Sequence, residues 1–141
     1  MATDYTQRLL DMHQALTSAL DAFCASDAAL VMGSRIRRFE EYEPPTLPAV
    51  VVGMARLDGQ DNAPYRRPGT PFEPTEAIVP VWIVVPSDNR VAGNLYAVLP
   101  LVMAALDDVT DAAVISAGPG RYPSPTEKDY PAYEVIVEYA V

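Results

Sequence analysis

The chain has 141 residues, 50% of them hydrophobic, and a formal net charge of −9 with a single lysine, so it can form one domain, 1–141, with a hydrophobic core. So acidic a chain offers no basic face to neutralise phosphates, and nucleic-acid binding is not expected. One cysteine and one histidine exclude a disulfide framework and a recognisable zinc site.

The first predicted element is an amphipathic helix over residues 4–29. Leu16, Leu20 and Phe23 recur at three- and four-residue steps, as one face of a helix requires. His13 lies on the same stripe. A single histidine there is usually a residue at the edge of the core with a hydrogen-bond partner.

A charged segment, SRIRRFEEYEPPTLP, follows the helix. Ile36 and Phe39 lie among charges, and paired prolines then forbid regular pairing, so the segment predicts a short edge strand and a turn. Arg35, Arg37 and Arg38 are close in sequence to three glutamates. We interpret them as a self-compensated surface in preference to a patch for an acidic partner.

Two apolar runs, LPAVVVGMA and AIVPVWIVVP, predict neighbouring strands that are covered on both faces. Pro80 interrupts the second run. Because proline cannot donate to a ladder, this strand has either one open edge or a bulge at that point. Either arrangement would leave an unpaired backbone edge near Ile78 and Pro80, to which another chain could add.

Between these runs a long Pro-rich loop is expected over residues 57–76, DGQDNAPYRRPGTPFEPTE from residue 58. Connections longer than roughly 12–15 residues are uncommon in compact domains and are usually functional or disordered. The loop carries aromatic and arginine side chains, which interfaces favour as anchors. The predicted interface residues of the loop and the next strand are Tyr65, Arg66, Arg67, Phe72, Ile78 and Pro80. A merely disordered surface loop is the alternative.

The segment VAGNLYAVLPLVMAAL predicts a second helix that is apolar nearly all round. We therefore expect it to be buried on more than one side and to be kinked at Pro100. Its apolar run, 91–106, is interrupted by Gly93, Asn94 and Pro100 and is too short to span a membrane. A soluble protein with no membrane partner is expected.

The remaining sequence predicts a strand in DAAVISAG, a second loop over residues 118–131, and a terminal strand in AYEVIVEYAV. The terminal strand alternates apolar and polar side chains, which is typical of a half-buried strand. Together the elements predict an α+β domain: one mixed, mainly antiparallel sheet flanked by two main helices, with a long Pro-rich loop.

The sequence contains no G-x-S-x-G, H-E-x-x-H, P-loop or G-x-G-x-x-G motif. AGPGRY resembles a phosphate-binding turn only superficially, because no helix pattern follows it. Asp107 and Asp108 are adjacent in a predicted helix and therefore point in different directions. We predict no catalytic, cofactor-binding or metal-binding residues, no cofactor, and a role that is not enzymatic.

In chain order the sequence has an LPAVVV strand, a Pro-rich loop, an AIVPVWIVVP strand, an apolar helix and a terminal YPAYEVIVEYAV. Over residues 7–141 this layout resembles that of the tail-terminator proteins of long-tailed bacteriophages. The resemblance implies a small α/β subunit that forms a six-membered ring on the tail tube and presents its other face to head-completion proteins. DNA would pass through the hole without being read. The implied location is the virion tail or neck, and the host cytoplasm during assembly.

Three alternatives remain open at this point. A head–tail connector of the phage neck shares much of this layout. A small enzyme or ligand-binding α+β domain would instead use Tyr65, Arg66 and Arg67 to grip an anionic ligand under the long loop. An adaptor would add a partner's strand at the predicted open edge.

Overall fold

The computed structural model of the chain describes residues 5–31, 34–41, 43, 45–59, 74–87, 90–123 and 129–141. These residues form two α-helices, a 3-10 turn and eight strands. The helices are α1, Thr6–Cys24, and α2, Val91–Asp107; the 3-10 turn is Asp27–Ala29. The strands are β1, Leu30–Val31; β2, Ser34–Arg35; β3, Arg37–Glu40; β4, Ala49–Val52; β5, Arg56–Gly59; β6, Pro74–Val84; β7, Ala112–Pro123; and β8, Asp129–Ala140.

Six of these strands form one mixed sheet, five of them in the order β3-β4-β6-β8-β7. The sixth strand, β5, pairs with the first part of β6, whereas β4 pairs with its last part. Every pair in it is antiparallel except β3 with β4, which run parallel. The short strands β1 and β2 form a separate hairpin. The predicted fold class, an α+β domain with one mixed, mainly antiparallel sheet and two main helices, is confirmed.

The main core lies between the two helices and one face of the sheet. The buried positions on each helix recur at three- and four-residue steps, as the spacing predicts. On the central strands every second side chain faces this core. Its members include Met12, Leu16, Leu20 and Phe23 of α1; Leu95, Val98, Val102 and Leu106 of α2; Val79, Val81 and Ile83 of β6; and Val135, Val137 and Tyr139 of β8.

A smaller apolar cluster covers part of the opposite face of the sheet. Trp82 and Tyr122 are its largest members, with ring centroids 5.3 Å apart and planes inclined by 55°. Tyr122 lies on β7, and β8 separates that strand from β6. The β8 residue in this cluster, Ala132, is small, so Tyr122 can reach across it to Trp82. The predicted burial of these strands on both faces is therefore confirmed for β4 and for the second half of β6.

Both predicted loops are shorter than expected. The ends of the 57–76 segment belong to β5 and β6, and most of the 118–131 segment is a β-hairpin formed by β7 and β8. Proline suggested a loop, but Pro119 lies in an outer strand, and Pro131 precedes the first pair of β8 with β6. A strand tolerates proline where one of its sides has no partner.

The first helix also ends earlier than predicted, at Cys24 instead of residue 29. The last carbonyls of a helix need partners, which a nearby cation can supply. Arg35 does so here: its Nη1 donates to the carbonyl oxygens of Cys24, at 2.7 Å, and Ser26, at 2.9 Å. Arg35 is therefore part of a helix cap, whereas Arg38 of the same cluster pairs with Glu40, as the self-compensated surface predicts. None of the helices among the described residues is long and apolar enough to cross a membrane.

Candidate functional site

Pro80 lies opposite a bulge in the sheet. Val52 pairs with Val81, and the next pair along is Arg56 with Ile78. Between these pairs the three residues 53–55 face the two residues 79–80. The carbonyl oxygen of Pro80 accepts the backbone N–H of Gly53 at 2.8 Å. The irregularity thus lies in the segment facing Pro80 and not in its own strand, as the bulge alternative had it, and among the described residues β6 has no open edge at this point.

The six predicted interface residues are therefore not placed together by the described structure. Ile78 and Pro80 lie within a strand that has neighbours on both sides, and their side chains are partly exposed. They could contact a partner through side chains only, not by strand addition. The other four, Tyr65, Arg66, Arg67 and Phe72, lie outside the described residues.

Among the described strands, β3 and β7 are outermost at the two ends of the sheet, and β5, which pairs only with β6, also has one side without a described partner. The outer side of β7 is long and almost uncharged: Arg121 is the single charged residue of Ala112–Pro123. A bulge between Val114 and Ser116 leaves Ile115 49% exposed. Proteins usually protect such edges with charged side chains, because the free N–H and C=O groups can pair with another chain.

The outward face of α2 is apolar and exposed. Tyr96 is 61% exposed and Leu101 39% exposed. No charged residue occurs between Val91 and Leu106, whereas the solvent face of a helix normally carries charges. The expectation that this helix is buried on more than one side is therefore wrong, because the described residues place no third layer over it. Its exposed residues are Ala92, Gly93, Tyr96, Ala97, Pro100, Leu101 and Ala104.

The helix face and the strand edge meet at a shallow cleft of about 300 Å³. Its walls include Ala92 and Tyr96 from α2 and Pro119 and Gly120 from β7. Tyr96 also packs edge-on against Tyr133 of β8, with ring centroids 6.2 Å apart and an interplanar angle of 76°. We call the exposed residues Tyr96, Ala97, Pro100, Leu101 and Ala104 together with the outer edge of β7 the α2–β7 surface.

The opposite end of the sheet has a different character. Arg38 of β3 donates to Asp21 of α1 at 2.6 Å and to Glu40 at 2.8 Å. The hydrogen bond that Arg38 donates to Asp21 is the main reason that the pKa of Arg38 is raised above its ordinary value. Glu40 also lies 3.2 Å from Nε2 of His13, so this histidine has a side-chain partner, as predicted. The β3 edge is thus charged, and α1 supports it.

No family model matches the chain, and no curated protein is significantly similar to it.

The described residues offer little for catalysis. Burial, and after it the charge of Asp21, raises the pKa of the Cys24 thiol to about 11, so this thiol is protonated and a poor nucleophile at neutral pH. Asp107 and Asp108 are both exposed at the end of α2. Within the described ranges no group of three or more His, Cys, Asp and Glu side chains could hold a metal ion.

Sequence reasoning gave half of the α2–β7 surface: it offered the apolar helix 91–106 as a possible subunit face of a ring, but not the strand edge beside it. The absence of charge over residues 91–106 predicts burial. Whether these residues are buried or exposed depends on how many layers cover the helix, which the spacing of residues does not show. The position of β7 at the end of the sheet is a matter of strand order, which the order of elements along the chain does not determine.

Proposed function

We propose that this protein is the subunit of a phage tail-terminator ring, which caps the tail tube and provides a docking face for head-completion proteins. The observation that carries the proposal is the α2–β7 surface, an uncharged helix face beside a strand edge that pairs with no other described strand. Exposed apolar surface of this kind typically marks a protein–protein contact.

The placement of the two open edges supports assembly into a ring. The α2–β7 surface and the charged β3 edge lie at opposite ends of one sheet. A closed ring needs two different surfaces that meet head to tail, and edges at opposite ends of a subunit can meet in this way. We therefore infer that the α2–β7 surface of one copy contacts the β3 side of the next.

The remaining parts of the proposal come from the resemblance of layout to tail-terminator proteins. They are the number of six subunits, the tail-tube protein on one side of the ring and the head-completion protein on the other. The net charge of −9 is compatible with a ring through which DNA passes without binding. The protein would act in the virion tail or neck, after assembly in the host cytoplasm.

The test is negative-stain electron microscopy of the purified protein beside two variants. Ala97→Glu adds a charge to the centre of the α2–β7 surface, and Ser18→Glu adds the same charge to the exposed side of α1. We expect six-fold rings for the wild type and Ser18→Glu, and dispersed subunits for Ala97→Glu. The proposed contact would be contradicted if all three proteins formed rings equally well. It would also be contradicted if all three remained dispersed at every concentration.

A second measurement separates a terminator from a head–tail connector. The tail-tube protein of the same virus is allowed to polymerise with and without this protein, and tube lengths are compared by electron microscopy. A terminator is expected to stop elongation and to sit at one tube end. Tubes of unchanged length with bare ends would favour the connector.

A further inference from the structure

The backbone edge at β3 is poorly suited to pair with a strand of another copy. The N–H of Ile36 donates to the carbonyl oxygen of Ala29 at 2.8 Å. The N–H of Glu40 lies 3.4 Å from a carboxylate oxygen of Glu43, to which it donates. Backbone groups of a strand alternate between its two sides, so Arg38, midway between these residues, faces the same way. Among the described residues this leaves one outward N–H on β3, which is too few for the addition of a strand.

The outer side of β7 lacks donors as well. A strand accepts proline only where the nitrogen faces an open side, and β7 pairs with β8 opposite both Pro119 and Pro123. The two prolines therefore face outward, where they have no N–H to offer. They take the place of the charged side chains that usually protect an edge. A contact between the β7 end of one copy and the β3 end of another must then depend mainly on side chains.

At the β7 end, helix α2 supplies such side chains. Tyr96 is 61% exposed and Leu101 is 39% exposed, on a helix without a charged residue between positions 91 and 106. Both helices pack on the same face of the sheet. A surface of the next copy that covers α2 is therefore expected on the α1 face of that copy, and it should be apolar.

The β3 end has an apolar cleft of about 450 Å³ on this face, between α1 and the bulge at residues 53–55. Leu10 of α1 and Met54 of the bulge line it, and they are 58% and 71% exposed, which is unusual for large apolar side chains. Glu40 and Glu41 also line the cleft, which places it beside the end of β3. None of the residues that line it belongs to α2 or β7.

The carboxylates of this cleft have partners within the subunit. Glu40 accepts from Arg38 at 2.8 Å and lies beside His13. Oε2 of Glu41 accepts the backbone N–H of Met54 at 2.8 Å. An uncharged surface can therefore cover the cleft without leaving a buried charge unpaired, whereas an acidic surface would be repelled. The exposed face of α2 meets this electrostatic requirement, because it is apolar and uncharged.

We propose that the exposed face of α2 packs into this cleft of the next copy, with Tyr96 and Leu101 against Leu10 and Met54. In a ring, one end of each subunit meets the opposite end of its neighbour. Because both helices lie on one face of the sheet, this arrangement brings α2 of one copy beside α1 of the next. The inference rests on the proposed ring, and it names the surface of the next copy that the α2–β7 surface contacts.

Cross-linking of single-cysteine variants tests which surfaces meet. Cys24→Ala removes the native thiol, and Leu101→Cys or Met54→Cys then places a thiol on one of the two surfaces. The variants are mixed as dispersed subunits, concentrated and treated with a short bismaleimide. We expect a cross-link in the mixture and none in either variant alone, because a head-to-tail contact joins two different surfaces. Ser18→Cys, exposed on α1 outside the cleft, is the control and should not cross-link to Leu101→Cys.

A matched pair of leucine variants tests the contribution of the cleft. Leu30 is 52% exposed, close to the value for Leu10, but it lies on β1 and does not line the cleft. Covering a new carboxylate is unfavourable. Leu10→Glu should therefore raise the concentration needed for ring assembly by at least about tenfold, as for a central interface residue. Leu30→Glu should assemble as the wild type does, and melting temperatures show whether both variants are folded.

The outcomes separate this inference from the proposed function. Wild-type rings without a cross-link between positions 54 and 101, or with equal effects of the two leucine variants, would overturn the inference and leave the ring standing. A cross-link within either single variant would overturn it too, since that result means a contact between identical surfaces. If the wild type forms neither rings nor cross-links at any concentration, the proposed function and this inference are both wrong.

Discussion

Gly53 occupies the start of the bulge, where only a residue without a side chain fits. A Cβ atom at this position would lie 2.6 Å from Cγ of Pro80 and 2.8 Å from Cζ3 of Trp82. Both distances are shorter than carbon atoms allow. The absence of a Cβ lets the backbone of Gly53 approach Pro80 closely enough to donate its N–H to the proline carbonyl at 2.8 Å.

Gly53→Ala should therefore lower the free energy of unfolding by about 1–3 kcal/mol, the usual effect of overpacking a filled site. Urea denaturation, followed by the fluorescence of the single tryptophan, Trp82, measures this change. Gly118→Ala is the control, because a Cβ there would have no neighbour within 4 Å. Equal effects of the two substitutions would contradict the steric explanation.

Glu76 and Glu138 form an acidic pair on the adjacent strands β6 and β8. Glu138 pairs with Ile78, which is two residues from Glu76 and on the same face of the strand. The pKa of Glu76 is raised, first by its hydrogen bond with Glu138 and then by the negative charge of that residue. A carboxyl whose pKa is higher in the folded than in the unfolded protein binds its proton preferentially in the folded state. The pair therefore opposes folding above the raised pKa. This unfavourable effect decreases as the pH falls through that value towards the ordinary 4.5.

We expect Glu138→Gln to raise the melting temperature at pH 7 and to have a smaller effect at about pH 4, below the ordinary pKa of 4.5. The reason is that the repulsion removed by the substitution is present only when both carboxyls are ionised. Thermal denaturation of the variant and the wild type at the two pH values gives the comparison. Glu134→Gln, on the same strand, should produce no such pH-dependent difference, and a wild-type advantage at pH 7 would refute the interpretation.

At the scale of elements, the helices were the most predictable part of the fold. The spacing of Leu16 and Leu20 correctly predicted which side of α1 is buried, whereas α2, predicted to be buried on more than one side, has an exposed face. The ends of the strands were less predictable, because clustered prolines in a sequence predict a loop. In β7 and β8 several prolines lie inside strands, at positions where tertiary structure leaves one strand side without a partner.

Helix α2 runs without interruption from Val91 to Asp107, with Pro100 inside it on the exposed side. Pro100 has no N–H to donate to the carbonyl of Tyr96, one turn earlier. Pro100→Ala should restore this bond and raise the free energy of unfolding, by up to about 3 kcal/mol. Chemical denaturation tests the expectation. Pro119→Ala, which alters an exposed strand position, is the control, and a lower stability of Pro100→Ala would mean that the helix needs the proline to fit the sheet.

At the scale of the whole molecule, the two ends of the sheet differ in chemistry. The α2–β7 surface is apolar and nearly uncharged, whereas the β3 side carries a network of ion pairs around Arg38. Because the charges of that network are largely satisfied within the subunit, we expect apolar contact to dominate the proposed ring. The proposed rings should then persist from low salt to about 0.5 M NaCl, a range over which screening weakens contacts between exposed charges. Dissociation on adding salt would show that the contact is mainly electrostatic.

The sequence by itself determined the fold class, the buried side of α1 and the alternation of β8. These properties are local: they depend on the spacing of apolar residues over a few turns or one strand. Only the tertiary structure decided that Pro80 faces a bulge, that α2 has one covered side, and that β7 is an outer strand. These features depend on which distant segments become neighbours, and local spacing does not encode the order of strands or the number of layers.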